Sequence, residues 1–190
     1  MLTTFARLTM AETVKLHDLE FVPYLSAHET ESIVNDVAAR INQKYANKSP
    51  LFVVVLNGAF MFASDLFKKL DFDCEISFLR VSSYRGTAST GEVKEMMPVG
   101  TDVSGRDVVL LEDIVDTGKT MGEIKQKMLD NGAKSVNICT LLYKPDAFQG
   151  NYIVDFVGKE IPDRFVVGYG LDYDGLGRNL PSLYQIKPKS

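Results

Sequence analysis

The segment Val108–Thr120, with the sequence VVLLEDIVDTGKT, constrains the fold of this chain more than any other. Its apolar run Val108–Leu111 is typical of a parallel strand covered on both faces. Glu112 and Asp113 follow at the carboxyl end of that strand, the edge at which open α/β sheets bind ligands. Thr117–Thr120 then predicts a turn that opens a helix, where free N–H groups and the helix dipole attract phosphate. Carboxylates beside such a turn indicate a sugar-phosphate ligand. The backbone amides would bind its phosphate, and the carboxylates would bind its hydroxyl groups or a Mg²⁺ ion.

Two other phosphate-binding motifs do not fit this segment. Gly118–Thr120 looks like the end of a P-loop, but that motif needs a glycine where this chain has Asp113, whose charge would repel a phosphate. The Rossmann fingerprint is also missing, since no G-x-G-x-x-G follows a predicted strand and Gly168–Gly170 continues to Tyr173. A plain βα turn with incidental acids is the remaining structural explanation.

Strands and helices alternate along the chain, which predicts an α/β fold with a mostly parallel, twisted sheet flanked by helices. The predicted strands are Leu51–Leu56, Glu75–Val81, Val108–Leu111, Val136–Leu142 and Phe165–Val167. The predicted helices are Glu29–Tyr45, a helix from Asn57-Gly58 to about Leu70 that buries Phe60, Phe62 and Phe67, and Met121–Asn131 before Gly132. We expect residues 1–190 to form a single domain.

The composition argues against several classes of partner. The formal net charge of −4 is unlike the basic surfaces that bind nucleic acid. No window reaches the run of about 20 apolar residues that a membrane span needs, and the first residues lack a signal-peptide pattern. Cys74 and Cys139 are the only cysteines, and we expect both to be buried free thiols. These features predict a cytoplasmic protein without nucleic-acid or membrane partners.

Several separate pieces of the chain resemble the type I phosphoribosyltransferases, and within them the hypoxanthine-guanine branch. They lie between about residues 51 and 186 and are Leu56–Ala59, Ser83-Tyr84, Ser89–Gly91, Val108–Thr120, Leu141–Lys144, Ile161–Tyr173 and Arg178. The resemblance implies the type I fold and transfer of the 5-phosphoribosyl group from phosphoribosyl diphosphate (PRPP) to N9 of hypoxanthine or guanine. The products of this purine-salvage reaction are IMP or GMP and diphosphate. It also implies Mg²⁺ as cofactor and a homodimer or homotetramer.

The resemblance further implies two accessory parts around the sheet. One is a small hood formed by about residues 1–25 and 145–190. The other is a flexible lid loop at about residues 82–100, a stretch rich in serine, threonine and glycine with few apolar residues. Long loops inside compact domains are usually lids or disordered segments. A lid that closes over the site would exclude water, which could otherwise hydrolyse PRPP.

The resemblance assigns roles to four acidic residues. Asp116 is implied as the general base, which receives or orients the proton on the purine N7 atom. Glu112 and Asp113 are implied to hold the ribose hydroxyls, directly or through metal, and Asp172 is implied as a further Mg²⁺ ligand. A structural alternative stays open for Asp116, because aspartate is well suited to cap the N-terminus of a helix.

The remaining implied residues bind the phosphates and the base. Thr117, Gly118, Lys119 and Thr120 are implied for the 5′-phosphate, and Asn57, Gly58, Ser83, Tyr84 and Arg178 for the diphosphate. Lys144 is implied to hydrogen-bond the purine 6-oxo group, which would select hypoxanthine or guanine over adenine. Phe165 is implied to stack on the purine and Val166 to meet its edge through the backbone. The structural alternatives are a solvated lysine for Lys144 and core positions for Phe165 and Val166.

This chain departs from the family at the diphosphate loop. Asn57 stands where a lysine is common, and Ala59 stands where a second glycine is common. The positive charge of that lysine is lost here, but the backbone of the loop can still contact the diphosphate. Family members often have a cis peptide bond in this loop.

Two functional alternatives stay open. The first is a PRPP-binding regulatory protein on the same fold, which would need a basic face or an added DNA-binding domain. The second is an enzyme that prefers xanthine or a pyrimidine over hypoxanthine and guanine. His17 and His28 lack the spacing of zinc ligands, so we expect them at the surface.

Overall fold

The computed structural model describes residues 12–83, 93–97 and 101–188, with backbone alone at 81–83 and 93–97. In chain order the elements are β1 (Val14–Leu16), β2 (Leu19–Leu25), α1 (Ala27–Tyr45), β3 (Leu51–Leu56), α2 (Phe60–Phe67), β4 (Glu75–Ser83), β5 (Val93–Met97), β6 (Asp107–Val115), α3 (Lys119–Asp130), β7 (Ser135–Tyr143), β8 (Phe156–Glu160), β9 (Val166–Val167) and β10 (Leu183–Ile186).

The larger sheet has six strands in the order β5-β4-β3-β6-β7-β8. All neighbouring pairs from β4 to β8 are parallel, and β5 joins the edge in the antiparallel direction. Residues on α1 and α2 cover one face of this sheet, and residues on α3 cover the other. This double cover explains why β3 is apolar along its whole length, as strands buried on both faces are. The predicted sheet flanked by helices is therefore confirmed.

Side-chain capping fixes the start of α1. Ser26 and Glu29 form a capping box at the start of α1, so the helix begins at Ala27 rather than at the predicted Glu29. In α2 the prediction was wrong for Phe60, which is 44% exposed because it lies outside the buried face of the helix. Phe62 is buried, and Phe67 packs against the core as expected.

A smaller antiparallel sheet has four strands in the order β1-β2-β10-β9. It includes β9, so the prediction that Phe165–Val167 extends the parallel sheet was wrong. All four strands come from the segments predicted to form the hood. The same segments also contain β8, which lies in the large sheet and which the sequence pattern did not reveal. The strand β8 is short and includes Gly158, where a Cβ atom would lie 2.5 Å from the carbonyl oxygen of Leu141.

The structure also bears on the other sequence expectations. Cys74 and Cys139 are free thiols, as predicted, but only Cys139 is buried, and the prediction of burial was wrong for Cys74, which is partly exposed. Among the described residues, no helix is long and apolar enough to cross a membrane. Tyr84 and Ser89–Gly91 of the proposed lid lie outside the described residues, and Ser83 is the last residue of β4. His17 and His28 are exposed, as expected.

Candidate active site

A cavity of about 290 Å³ opens at the carboxyl ends of β3 and β6. The residues predicted for the site that line it are Gly58, Glu112, Asp113, Asp116, Thr117, Gly118, Thr120, Asp172 and Arg178. They come from segments that are far apart in the sequence and meet only because parallel strands end at one edge of the sheet. The acids and the turn thus share one hollow, which is the arrangement that a sugar phosphate needs.

Glu112 and Asp113 form a poorly solvated carboxylate pair at the end of β6. Asp113 is 9% exposed, and its Oδ1 atom accepts a hydrogen bond of 2.8 Å from the N–H group of Ile114. Within the described part of the chain, the buried Oε2 atom of Glu112 has no hydrogen-bond partner. Burial and the adjacent Asp113 raise the pKa of Glu112 well above its usual range, and burial raises the pKa of Asp113. A buried carboxylate oxygen without a donor is costly, so this atom fits a ribose hydroxyl or a cation with its bound water.

The loop Asn57–Ala59, predicted to bind diphosphate, lies directly against Asp113 through Gly58. A Cβ atom on Gly58 would be only 1.6 Å from Oδ2 of Asp113, so a residue with any side chain would displace the carboxylate. The peptide bond between Leu56 and Asn57 is cis. Asn57 precedes the contact and does not line the cavity, whereas Gly58 does. The glycine is therefore required here for close approach rather than for a turn.

The turn Thr117–Thr120 leads into α3 as predicted. Gly118 is the N-cap residue and adopts a left-handed conformation with φ of 78°, without a capping side chain. The alternative that Asp116 caps this helix is therefore wrong, which leaves its carboxylate for other contacts. Lys119 is exposed and does not line the cavity, so its proposed contact with phosphate stays a prediction.

Lys144 lies at the end of β7, beside the cavity edge. Its backbone N–H donates to the carbonyl of Val115 at 3.0 Å, which joins the ends of β7 and β6. The side chain is 7% exposed, and Nζ lies 2.8 Å from Oδ2 of Asp116 and 3.0 Å from Oδ1 of Asp163. Burial alone lowers the pKa of Lys144, but its hydrogen bonds to the two aspartates outweigh burial and raise it. The alternative of a solvated lysine is wrong.

Asp163 is a member of this site that the sequence did not suggest. It follows Ile161-Pro162 in the loop before β9, and no spacing rule links such a residue to Lys144. The backbone N–H of Ile161 donates to the carbonyl of Tyr143 at 2.8 Å, which brings the loop to the end of β7. Only knowledge of this pairing could have placed Asp163 at the site.

Phe165 and Val166 differ in exposure although they are adjacent. Phe165 is 38% exposed and packs against Phe21 and Tyr173, with ring centroids 6.2 Å and 5.9 Å away. The core alternative is wrong for Phe165, whose ring is partly free to stack on a ligand. The Val166 side chain is buried in β9, so only its backbone is available to a base.

Asp172 and Arg178 form an ion pair at the rim of the cavity. The Nη2 atom of Arg178 lies 2.6 Å from Oδ1 of Asp172, and its Nη1 atom donates to the carbonyl of Gly170 at 2.7 Å. The N–H group of Gly175 donates to Oδ2 of Asp172 at 2.7 Å. In the described ranges, no group of three or more His, Cys, Asp or Glu residues could hold a metal by itself. A metal here would need further ligand atoms from the substrate or water, which suits a hard cation such as Mg²⁺.

The fold and the cavity define a phosphoribosyltransferase. The family model described as the phosphoribosyl transferase domain matches residues 23–174, so the chain belongs to this family. It is 43% identical to the hypoxanthine-guanine phosphoribosyltransferase of Bacillus subtilis (strain 168) over 173 residues, which are 90% of this chain and 96% of the relative. Its identity to the enzyme of the same name from Staphylococcus aureus (strain Mu50 / ATCC 700699) is 40%, over 87% of this chain and 93% of that protein.

Solved structures agree with this assignment. A crystal structure of a hypoxanthine phosphoribosyltransferase from Staphylococcus aureus superposes with a TM-score of 0.83 at 40% identity and covers 87% of this chain and 91% of that one. A variant of the Trypanosoma cruzi hypoxanthine phosphoribosyltransferase, complexed with the product IMP, gives a TM-score of 0.82 at 29% identity over 92% of this chain and 94% of that chain.

Proposed function

We propose that this chain is a purine-salvage enzyme that transfers the 5-phosphoribosyl group from PRPP to N9 of hypoxanthine or guanine. One observation carries the proposal. The acid pair Glu112-Asp113 and the turn Thr117–Thr120 line a single cavity, with Asp116 between them. Membership of the phosphoribosyltransferase family and the names of the relatives support the same reaction.

The residues at the cavity would match each part of PRPP in their chemistry. The backbone N–H groups of Thr117–Thr120 would receive the 5′-phosphate at the start of α3. Glu112 and Asp113 would accept hydrogen bonds from the ribose hydroxyls, which would supply the buried Oε2 atom of Glu112 with a donor. Arg178 would donate to the diphosphate with its planar guanidinium, assisted by the backbone of Gly58.

The reaction forms a bond from purine N9 to the ribose C1 atom while the bond from C1 to the diphosphate oxygen breaks. Diphosphate leaves with the bonding electrons, and positive charge develops on the ribose ring. The carboxylates of Glu112 and Asp113 would stabilise this charge, because they are fixed in a site of low dielectric. Asp116 would receive or orient the proton on purine N7, a role that typically contributes about 10²–10⁴ to the rate.

Mg²⁺ is the metal that we propose for this reaction, since membership of the family indicates metal dependence in general. Asp172, with Glu112 and Asp113, would hold it together with oxygen atoms of the substrate and water. When bound, it would neutralise negative charge on the departing diphosphate. The carboxylate of Asp172 would then exchange part of its contact with Arg178 for the ion.

The choice of base would depend on Lys144 and Phe165. The ammonium of Lys144 donates hydrogen bonds and accepts none, so it would bind a 6-oxo group and disfavour the 6-amino group of adenine. The exposed part of the Phe165 ring would stack on the purine, and the backbone of Val166 would meet the base edge. Asn57, Ser83, Tyr84 and Lys119 stay predictions for phosphate contacts.

A product assay tests the proposal. The protein is mixed with Mg²⁺, PRPP and one base at a time, with hypoxanthine, guanine, xanthine and adenine compared. We expect IMP from hypoxanthine or GMP from guanine, with turnover on adenine lower by at least about a hundredfold, as expected where a buried donor meets the wrong partner. A folded protein that forms neither IMP nor GMP would contradict the proposal.

The same assay separates the alternatives. Product from xanthine or a pyrimidine alone would favour an enzyme with another base preference. PRPP binding without turnover, together with a gel shift of DNA at physiological salt, would favour a regulatory protein. A location in the cytoplasm and a homodimer or homotetramer also stay predictions, as does the division into a hood at about 1–25 and 145–190 and a lid at about 82–100.

A further inference from the structure

Two aromatic residues pack behind the phosphate-binding turn, outside the cavity. The hydroxyl group of Tyr152 donates to the carbonyl of Gly118 at 2.5 Å. The N–H group of Gln149 donates to the carbonyl of Thr117 at 3.0 Å. Phe148 meets Tyr152 edge to face, with 5.2 Å between ring centroids. The segment 148–152 thus binds two successive carbonyl groups of the turn, and the Gly118 carbonyl also accepts a hydrogen bond of 2.9 Å from the N–H group of Gly122 in α3.

Holding those carbonyl groups also fixes N–H groups. A peptide unit is planar and trans, so its N–H points in the direction opposite to its C=O. When the carbonyls of Thr117 and Gly118 point toward segment 148–152, the N–H groups of Gly118 and Lys119 must point away from it. The Lys119 N–H lies 3.5 Å from the Thr117 hydroxyl oxygen. Thr117, Gly118 and Thr120 line the cavity, and segment 148–152 does not. The N–H groups of Gly118 and Lys119 are amides that we propose for the 5′-phosphate.

Close packing prevents the turn from moving toward Phe148 and Tyr152. A Cβ atom on Gly118 would lie 2.3 Å from the Phe148 ring and 2.8 Å from the Tyr152 hydroxyl. A Cβ atom on Gly122, in the first turn of α3, would lie 2.9 Å from the Tyr152 ring. Burial raises the pKa of Tyr152 to about 12, so the hydroxyl keeps the proton that it donates to Gly118.

We propose that Tyr152 is a positioning residue for the 5′-phosphate site, which it shapes through the Gly118 carbonyl without contacting the substrate. This inference rests on the proposed function. A turn that is held before the ligand arrives loses less conformational freedom on binding, so it binds phosphate more tightly. Removal of the Tyr152 hydroxyl should therefore weaken the binding of ligands that carry a 5′-phosphate and leave the binding of the free purine base unchanged.

The test compares Tyr152→Phe with the control Tyr143→Phe. Tyr143 packs against the same Phe148 ring at 5.4 Å, so both changes remove one hydroxyl from the same aromatic cluster. For Tyr152→Phe we expect the KM for PRPP and the Kd for IMP to rise about threefold to tenfold, the effect of one hydrogen bond. The KM for hypoxanthine and kcat should change by less than about twofold, and Tyr143→Phe should resemble the wild type.

Several results would overturn the inference. One is an unchanged Kd for IMP in Tyr152→Phe. Another is a parallel change in both KM values and kcat, which a merely structural role predicts. Amide hydrogen exchange gives a readout without turnover, because the N–H groups of Gly118 and Lys119 should exchange faster in Tyr152→Phe and not in Tyr143→Phe. Wild-type protein that neither binds IMP nor forms it would overturn the proposed function, and this inference with it.

Discussion

Lys144 and Asp116 form an ion pair at the edge of the cavity, with 2.8 Å between Nζ and Oδ2. The two side chains are the ones that we propose for the purine 6-oxo group and for the N7 proton. In a 6-oxopurine these groups are neighbours on one edge of the ring system. A pair of residues that contact each other can therefore meet both groups at once, which would link base selection to proton transfer.

The role of Asp116 is tested by Asp116→Asn, with Asp163→Asn as the matched control. Both aspartates bind the Lys144 ammonium, but only Asp116 lines the cavity. We expect Asp116→Asn to lower kcat by about 10²–10⁴, the usual contribution of a general base, and to change the KM for PRPP much less. Asp163→Asn should lower kcat by less than about tenfold. Equal losses in the two variants would show that only the charge around Lys144 matters.

Lys144→Met tests the selection of the base. The change removes the proposed donor to the 6-oxo group, and we expect kcat/KM for hypoxanthine to fall about tenfold to a hundredfold, as for a hydrogen bond to a charged group. The KM for PRPP should stay near its wild-type value. Lys187→Met, which removes an exposed lysine paired with Glu20, is the control and should behave as wild type. A variant that keeps its preference for hypoxanthine over adenine would refute the role of Lys144.

Glu112→Gln should stabilise the protein while it weakens PRPP binding. The pKa of Glu112 is raised from its ordinary value of 4.5, so the folded protein binds this proton more tightly than the unfolded chain. The resulting contribution to the free energy of unfolding is present below pH 4.5 and is lost as pH rises through the raised pKa. Glutamine is neutral at every pH and does not lose this contribution. We therefore expect Glu112→Gln to raise the free energy of unfolding by about 0.5–2 kcal/mol near neutral pH.

Thermal unfolding of wild type and Glu112→Gln over a range of pH measures this effect. The difference in Tm should grow from acid toward neutral pH, because above pH 4.5 only the wild type must either retain a proton or bury a charge at residue 112 on folding. A difference in Tm that does not depend on pH would mean that ionisation of the Glu112 carboxyl group does not destabilise the folded protein. Loss of PRPP affinity in the stabilised variant would then mark a trade-off between stability and function.

Gly58→Ala should disturb the acid pair through Asp113. The new methyl group would overlap with Oδ2 of Asp113, so the carboxylate must move or the loop must shift. We expect a loss of about 1–3 kcal/mol in the free energy of unfolding, the usual cost of overpacking, together with weaker PRPP binding. The double variant Gly58→Ala/Asp113→Ala should regain much of the stability, which a double-mutant cycle measures. Additive losses in the cycle would contradict a direct contact.

The sequence was sufficient for four strands of the large sheet, β3, β4, β6 and β7, and for much of the cavity lining. The apolar run of β6, the acids after it and the turn before α3 are contiguous, so local rules placed them correctly. Residues such as Gly58 and Arg178 came from the resemblance, and the structure places both at the same cavity as Asp113.

What the sequence did not reveal depends on contacts between distant segments. The strand β8 is short and contains Gly158, so periodicity could not identify it. Asp163 meets Lys144, and Tyr152 meets Gly118, only through pairings that bring loops to the sheet edge. The four strands of the smaller sheet come from segments near both ends of the described chain, and β9 has only two residues, Val166 and Val167.

The central claim is that one cavity holds the ribose between carboxylates and the phosphate on main-chain amides. A crystal structure of the protein with GMP and Mg²⁺ tests it most directly. We predict phosphate oxygen atoms within about 3.2 Å of backbone nitrogen atoms at 117–120, and ribose hydroxyls within the same distance of the Glu112 or Asp113 carboxylates. A nucleotide bound elsewhere, or with its phosphate turned away from this turn, would contradict the account.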